Sequence, residues 1–124
     1  MAGGTGITPM YQVIRAIMSD PEDETRVSLL YTNRDEQDIM LRKQLDAWQA
    51  SHKNLKVWYT LSGKAPEDWK YSRGRICEAL VKEHIPECCD ETLALLCGPQ
   101  ELIQSTCIPN LLKQKYDKSC CLEF

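Results

Sequence analysis

Apolar and polar positions follow two different periods along the chain, and segments of the two kinds alternate. The first helical segment has the spacing of a single helix face, and its apolar residues are Met10, Val13, Ile14, Ile17 and Met18. Thr8 is expected to cap this helix, and Pro9 to take its first position, where a missing N–H group costs nothing. The turn-forming sequence Ser-Asp-Pro at 19–21 is expected to end it.

The alternation continues to the end of the chain. Strands are predicted at 26–32, 55–61, 92–97 and 119–124, and helices at 35–49, at 76–84 and through a series that carries Ile103, Cys107 and Leu111. In the second helix, Leu41, Leu45 and Trp48 are expected on the buried side. The run at 92–97 is continuously apolar, as in a central strand covered on both faces. Strands alternating with helices predict an α/β fold, in which helices flank a parallel sheet.

The chain has two glycine-containing turns. Gly3-Gly4-Thr5-Gly6 precedes the first predicted helix, and Cys97-Gly98-Pro99 joins the strand predicted at 92–97 to the following helix. Both belong at the carboxyl edge of the sheet, where ligands bind in such folds. Glycines beside a helix start form a seat for a phosphate group. The sequence is neither a P-loop, which needs a lysine, nor GxGxxG, because Pro9 takes the place of the third glycine. A turn that only packs a helix on the sheet is the alternative interpretation.

Composition and charge restrict the number of domains, the partners and the metal sites to be expected. The 124 residues suit one domain, 1–124, and a net charge of −3 gives no reason to expect nucleic acid or an anionic membrane as partner. Only Met1 and Ala2 precede the glycine turn, so the chain is expected to come from a longer protein. Its seven cysteines include no CxxC spacing, and no metal site is predicted. Reduced thiols indicate a cytoplasmic protein.

The sequence GGTGITPM at 3–10, with CGP at 97–99 after an apolar strand, resembles the nucleotide-binding half of the ferredoxin–NADP reductase superfamily. Within it, the chain is similar over its whole length to cytochrome-b5 reductases and eukaryotic assimilatory nitrate reductases, through RAIMSDPEDET, TNRDE, VWYTL and IPNL. The stretches WKYS, KEHIPE and TLAL resemble the plant and algal nitrate reductases.

This resemblance implies a domain that binds NADH or NADPH and passes hydride to FAD on an adjoining domain of the same polypeptide. In a nitrate reductase, a haem domain and a molybdopterin centre would then receive the electrons, and the domain alone would be inactive without its FAD domain. The nucleotide domain of a cytochrome-b5 reductase is the alternative within the family. A non-catalytic nucleotide-binding module is the alternative outside it.

The resemblance also implies site residues. The pyrophosphate would lie against the glycine turn and helix start, and the residues involved are Gly3, Gly4, Thr5, Gly6, Thr8 and Pro9. Asn33 and Arg34 belong to a second cofactor-binding stretch. Cys97, Gly98 and Pro99 match the turn beside the nicotinamide, and Phe124 matches an aromatic residue at the nicotinamide–flavin contact. Cys97 would position the nicotinamide without a covalent step, and a buried structural thiol is the alternative.

Cofactor preference is expected to depend on the end of the strand at 55–61. Relatives that prefer NADH usually carry an aspartate there, whereas this chain has Ser62 followed by Gly63 and Lys64. A hydroxyl and an ammonium group suit the 2′-phosphate of NADPH. The interpretation is use of NADPH, alone or together with NADH. For Ser62 and Lys64, the alternative is an ordinary solvated loop. Arg75 would add positive charge near the adenosine end of the cofactor, and a surface arginine is the alternative there.

Overall fold

The structure is a computed structural model that describes all 124 residues. Its strands are β1 (Ala2–Gly3), β2 (Val27–Asn33), β3 (Leu55–Leu61), β4 (Ser72–Arg73), β5 (Ala94–Leu96) and β6 (Cys121–Glu123). Its helices are α1 (Ile7–Ser19), α2 (Arg42–Ser51), α3 (Glu78–His84), α4 (Gln100–Leu102) and α5 (Ile108–Lys113). A π-helical turn, Ile103–Cys107, joins α4 to α5, and short 3₁₀ turns lie at Gly4–Gly6, Glu36–Asp38 and Lys118–Cys120.

Every strand pair in the sheet is parallel. Hydrogen bonds connect the strands in the order β1-β2-β3-β4, and a second pair is β5-β6. A parallel bridge between Ala2 and Cys97 joins the two groups, so β5 lies on the other side of β1. The direction of strand addition therefore reverses between β1 and β5. Ligands bind at this kind of switch point, on the side where the strands end.

Helices cover both faces of the sheet, which confirms the predicted α/β layers. One apolar cluster joins α1 and α2 to β2 and β3, and the other joins α3, the π-helical turn and α5 to β2 and β5. β2 shows the alternation directly, because Leu29 and Tyr31 belong to the first cluster and Leu30 to the second. No helix has the length and the apolar composition needed to cross a membrane.

The start of α1 differs from the prediction. The helix begins at Ile7, after Gly6, so Thr8 is not its cap and Pro9 is its third residue. The Thr8 hydroxyl donates a hydrogen bond to the carbonyl oxygen of Thr5 at 3.1 Å. The 3₁₀ turn at Gly4–Gly6 runs directly into the helix, so α1 starts two residues before Pro9. Pro9 still lies in the first turn, where its missing N–H removes no helical bond.

The second predicted helix, 35–49, is divided. Asp35 caps the short 3₁₀ turn, and α2 begins only at Arg42. The hydroxyl of Tyr31 accepts a hydrogen bond from the backbone N–H of Met40 at 3.2 Å, and Leu41 has a left-handed conformation with φ of 62°. Leu41 is consequently exposed, whereas Leu45 is buried as predicted. A tertiary hydrogen bond has overridden the local helical pattern.

The other boundaries agree more closely. The predicted strand 55–61 is β3 exactly, whereas the strand predicted at 26–32 starts and ends one residue later. The strand predicted at 92–97 shortens to β5, and Leu93 precedes it with 55% of its side chain exposed. The sequence analysis missed β4 and the π-helical turn, because both are too short to set up a period of their own.

Candidate functional site

A cleft of about 610 Å³ opens at the carboxyl edge of the sheet, beside the switch point. Seven of the residues expected at a nucleotide site line it: Gly3, Gly4, Thr5, Asn33, Arg34, Ser62 and Pro99. They come from the ends of β1, β2, β3 and β5, which a parallel sheet brings to one edge. The topology therefore assembles residues that are far apart in the sequence.

The glycines of the two turns have different roles. A β-carbon on Gly3 would lie 2.5 Å from Cδ2 of Leu102, and one on Gly6 would overlap the backbone carbonyl of Cys97. A β-carbon on Gly98 would approach Gly3 to 3.2 Å. These three glycines let the two turns pack directly on each other. Gly4 has a φ of +54°, and a β-carbon there would meet nothing within 4 Å.

Both interpretations of the glycine turn thus apply, each to different residues. Gly3, Gly6 and Gly98 serve close packing between β1 and the turn after β5. Gly4 takes a backbone conformation that favours glycine and borders open space in the cleft. It is the glycine at which a ligand can approach the backbone closely.

Tyr31 supports the wall of the cleft from below. Its buried hydroxyl donates to the carbonyl oxygen of Gly4 at 3.2 Å and accepts from the N–H of Met40 at 3.2 Å. Burial raises the pKa of the Tyr31 phenol, so it remains a donor at all ordinary pH values. One side chain therefore connects the glycine turn to the segment that precedes α2.

Asn33, the last residue of β2, has the most informative polar group in the cleft. It is 6% exposed, and its buried Nδ2 atom has no hydrogen-bond partner at normal distance, although the amide lies close enough to the Tyr31 hydroxyl to oppose the rise in that group's pKa. Its backbone oxygen accepts a hydrogen bond from the N–H of Ser62 at 2.9 Å, which holds the ends of β2 and β3 together. A buried N–H donor without a partner is costly unless a ligand or water supplies the acceptor.

The cleft contains charges of both signs. Arg34 and Arg75 are exposed basic residues on its lining, and Asp38 and Glu101 are exposed acidic ones. The structure places Arg75 at the cleft, a position that the sequence alone had not decided. Arg34, by contrast, was expected there.

Several polar residues at the cleft were missed in the sequence analysis. Thr32, Ser105 and Thr106 line it with Asp38. Ser105 and Thr106 belong to the π-helical turn, whose extra residue changes the face that the chain presents. The polar Gln-Ser-Thr sequence at 104–106, between Ile103 and Cys107, was the signal available for them.

Cys97 and Phe124 lie outside the lining of the cleft. The backbone of Cys97 is fixed at both ends: its N–H donates to Met1 at 3.2 Å, and its carbonyl oxygen accepts from Gly3 at 3.0 Å. Leu96 pairs with Glu123 between β5 and β6, so Cys97 and Phe124 follow at the same edge. The Phe124 side chain is 62% exposed. The Cys97 side chain is half-buried and packs against the apolar cluster that contains α1.

The remaining predicted residues, Gly6, Thr8, Pro9, Lys64 and Gly98, are also absent from the lining. Gly6 is covered by the turn after β5, and the Thr8 hydroxyl is used within the helix start. Lys64 is exposed on the loop after Ser62. Of the two residues predicted to set the cofactor preference, Ser62 therefore lines the cleft and Lys64 does not.

A larger cleft of about 870 Å³ lies at the opposite, amino edge of the sheet. The ring of His84 stacks on Trp58 there, with 4.2 Å between the ring centroids. Burial lowers the pKa of His84, although the nearby Glu83 carboxylate opposes this effect. The Nε2 atoms of His84 and Gln114 are buried without partners. Neither glycine turn reaches this edge.

The cysteines form no metal-binding arrangement. All seven are free thiols, and no group of three or more His, Cys, Asp or Glu side chains is placed to hold a metal ion.

Comparison with known proteins identifies the class. The family model described as the oxidoreductase NAD-binding domain matches residues 1–108, and the chain belongs to this family. Both the predicted family and the predicted fold are therefore confirmed. The cleft at the switch point lies where this class of fold binds its nucleotide.

Individual relatives narrow the class. The chain is 52% identical over 117 residues to the nitrate reductase (NADH) of Cucurbita maxima and, over the same length, 52% identical to the nitrate reductase (NAD(P)H) of Betula pendula. Each alignment covers 94% of this chain but 13% of the relative, so the chain spans about an eighth of their length. The crystal structure of the cytochrome b5 reductase domain of Ulva prolifera nitrate reductase superposes with a TM-score of 0.96, at 42% identity, over 99% of this chain and 46% of that one.

Proposed function

We propose that residues 1–124 form the NAD(P)H-binding domain of a nitrate reductase, which presents a reduced nicotinamide to FAD on an adjoining domain of the same polypeptide. The single observation that carries the nucleotide site is the cleft at the switch point, which Gly4 with its positive φ and the buried amide of Asn33 line together. β6 pairs with β5, which supports including residues beyond 108 in the same domain.

The glycine turn and the start of α1 would hold the pyrophosphate. Gly4 admits an oxygen atom close to the backbone, and Thr5 adds an exposed hydroxyl beside it. The turn Gly4–Gly6 runs directly into the thirteen-residue helix α1, so the positive end of the helix dipole lies behind it. Asn33 would donate its free N–H to a ribose or phosphate oxygen of the same cofactor.

Cys97 and Phe124 would position the nicotinamide. The backbone bonds of Cys97 to Met1 and Gly3 restrict its side chain to the switch point. The exposed ring of Phe124 lies beside it at the edge of the sheet. When bound, reduced nicotinamide supplies a hydride from its C4 atom to the N5 atom of FAD. The role of Cys97 is to fix geometry, since small errors in position are costly for such a transfer.

Ser62 supports use of NADPH together with NADH. It takes the place of the aspartate at the end of β3, and Arg34 and Arg75 line the cleft with it, together with the acidic Asp38 and Glu101. A guanidinium group suits a phosphate better than an ammonium group does. Arg75 therefore replaces Lys64 as the preferred partner for a 2′-phosphate. The relatives named for NADH and for NAD(P)H are equally similar to this chain.

The partners follow from the length of the relatives. A chain that aligns with 13% of a nitrate reductase leaves room for the FAD domain, a haem domain as electron acceptor and a molybdopterin centre. The seven free thiols support a reducing, cytoplasmic location.

The test joins this chain to a matching FAD-binding domain and measures ferricyanide reduction with NADPH and with NADH. The joined protein should reduce ferricyanide, whereas the chain alone should bind nucleotide without turnover. A joined protein that retains FAD but does not oxidise either nucleotide would contradict the proposal. Reduction of nitrate by the protein that also carries haem and molybdenum domains tests the terminal acceptor.

A further inference from the structure

Four of the cysteines meet at one place on the face opposite α1. Cys88 and Cys89 lie in the loop that follows α3, and Cys120 and Cys121 lie where the last 3₁₀ turn passes into β6. The Sγ atoms of Cys88 and Cys120 are 3.7 Å apart, although 32 positions separate them in the sequence. Both side chains are half-buried, so small reagents reach them.

The surrounding contacts hold this pair together. The hydroxyl of Tyr116 donates to the carbonyl oxygen of Pro86 at 2.6 Å, which fixes the segment before β6 against the loop after α3. The thiol of Cys120 donates to the carbonyl oxygen of Asp117 at 3.0 Å. The Sγ atom of Cys89 lies 3.0 Å from the hydroxyl of Thr92, whereas the thiol of Cys121 lies next to that of Cys120.

We propose that Cys88 and Cys120 form a redox-active dithiol that a glutathione-class disulfide converts into an intramolecular disulfide. The sulfur atoms must approach by about 1.7 Å to reach bonding distance, and rotation of two loop side chains can supply this. Neither residue belongs to the nucleotide cleft, so this site is independent of the proposed function.

The exchange has two steps. The thiolate of one cysteine attacks a sulfur atom of the external disulfide, which forms a mixed disulfide and releases one glutathione-class thiolate. The second cysteine thiolate attacks the protein sulfur of the mixed disulfide and releases the other thiolate. The two protein thiols lose two electrons and two protons in total, and the external disulfide gains both.

Oxidation would attach β6 to the loop after α3. β6 pairs only with β5 and consists of three residues, so it is the less supported edge of the sheet. The backbone N–H of Phe124 donates to Leu96 at 2.9 Å, so the last residue of the chain is attached through the same strand. The disulfide thus restrains the strand that leads to the aromatic terminus.

The rate is expected to be slow near neutral pH. Burial and the neighbouring thiol of Cys120 raise the pKa of Cys88, and burial raises that of Cys121. The reaction depends on thiolate, so an incubation of hours suits it.

The experiment incubates the full chain with oxidised glutathione, unfolds it in urea so that the buried Cys107 can react, blocks the remaining thiols with N-ethylmaleimide and maps the peptides without reduction. Five of the seven thiols should then react with N-ethylmaleimide, and one cross-linked peptide pair should contain Cys88 and Cys120. Dithiothreitol should restore all seven. The oxidised chain should unfold at a temperature about 5–10 °C higher than the reduced chain.

Neighbouring cysteines supply matched controls. Cys89→Ser and Cys121→Ser should retain the cross-link, whereas Cys88→Ser and Cys120→Ser should lose it and stop at the mixed disulfide. A cross-link between sequence neighbours, such as Cys120 with Cys121, would overturn the proposal. Seven reactive thiols after oxidation, or a cross-link that survives in Cys88→Ser, would overturn it as well.

Discussion

The two edges of the sheet each carry a cleft, and the larger one is at the amino edge: about 870 Å³ against 610 Å³ at the carboxyl edge. Both contain a buried amide nitrogen without a partner, on Gln114 at the amino edge and on Asn33 at the carboxyl edge. Only the cleft at the carboxyl edge also contains a glycine with positive φ whose α-carbon borders open space, which is Gly4. It also adds the start of the helix α1.

The comparison shows that volume does not identify the site in this fold. Strand direction does, because parallel strands that end together bring their following loops to one edge. The amino edge receives the ends of α3 and α5, whose side chains stack and pair there, as His84 does on Trp58. The following variants test this difference between the edges.

The largest effect is expected from Gly6→Ala. The new β-carbon would overlap the backbone of Cys97 and force the two turns apart, with a loss of about 3 kcal/mol in unfolding free energy. Urea titration measures this loss. Gly4→Ala is the matched control: it meets no atom and should lose only about 1 kcal/mol, from its left-handed backbone. Equal losses in both variants would contradict the packing between the turns.

Ser62→Asp should change cofactor preference next most strongly. A carboxylate at the cleft accepts a bond from the ribose 2′-hydroxyl of NADH and repels the 2′-phosphate of NADPH. The ratio of kcat/KM for NADH to that for NADPH should rise by about 5- to 150-fold, or roughly 1–3 kcal/mol, in the protein joined to its FAD domain. Lys64→Ala should change this ratio less, because Lys64 lies outside the cleft lining. An unchanged ratio in Ser62→Asp would refute the cofactor assignment.

A smaller effect is expected when the unpartnered amides are removed. Asn33→Ala should weaken nucleotide binding by about tenfold, since a donor to the ligand is lost. It should lower the unfolding free energy by only about 1 kcal/mol, because the amide's one polar neighbour in the protein is the Tyr31 hydroxyl. Gln114→Ala removes the equivalent group at the amino edge and should not change nucleotide affinity. Calorimetric titration of both variants makes the comparison, and equal weakening in both would contradict it.

The smallest effect concerns pH at the amino edge. The pKa of His84 is lower in the folded protein than its usual value of 6.5, because burial disfavours the charged ring. Between the folded and the unfolded pKa of His84, the unfolded chain therefore binds more protons than the folded one. The contribution of neutral His84 to the unfolding free energy is complete above about pH 6.5 and is lost as the pH falls below this value. The melting temperature should fall less between about pH 7.5 and 5.5 in His84→Gln than in the wild type. An identical fall in both would show that His84 does not contribute.

The sequence was sufficient for the elements that have a clear period. The alternation at 55–61 predicted β3 to the residue, and the apolar series from Met10 to Met18 predicted the body of α1. The glycine turns were also readable, although the sequence could not assign packing to Gly3, Gly6 and Gly98 and the open backbone to Gly4. The parallel direction of the strands then followed from their alternation with helices, whereas the strand order did not.

The remaining features depend on contacts between distant segments. The division of the helix predicted at 35–49 comes from the hydroxyl of Tyr31, which binds the backbone of Met40, and no local pattern records it. The separate roles of Gly4 and Gly6 depend on where the turn after β5 lies. Likewise, the position of Arg75 at the cleft and of Lys64 outside it follows from the folding of a loop with no period.

The central claim is that the nucleotide binds at the carboxyl edge, between the two glycine turns and the ends of β2 and β3. Titration of the isotope-labelled chain with NADPH, followed by amide and side-chain NMR shifts, tests it most directly. Large changes are expected at Gly4, Thr5, Ser62 and the side-chain amide of Asn33, with no change around His84. Changes concentrated around His84 at the amino edge, or no binding at either edge, would contradict it.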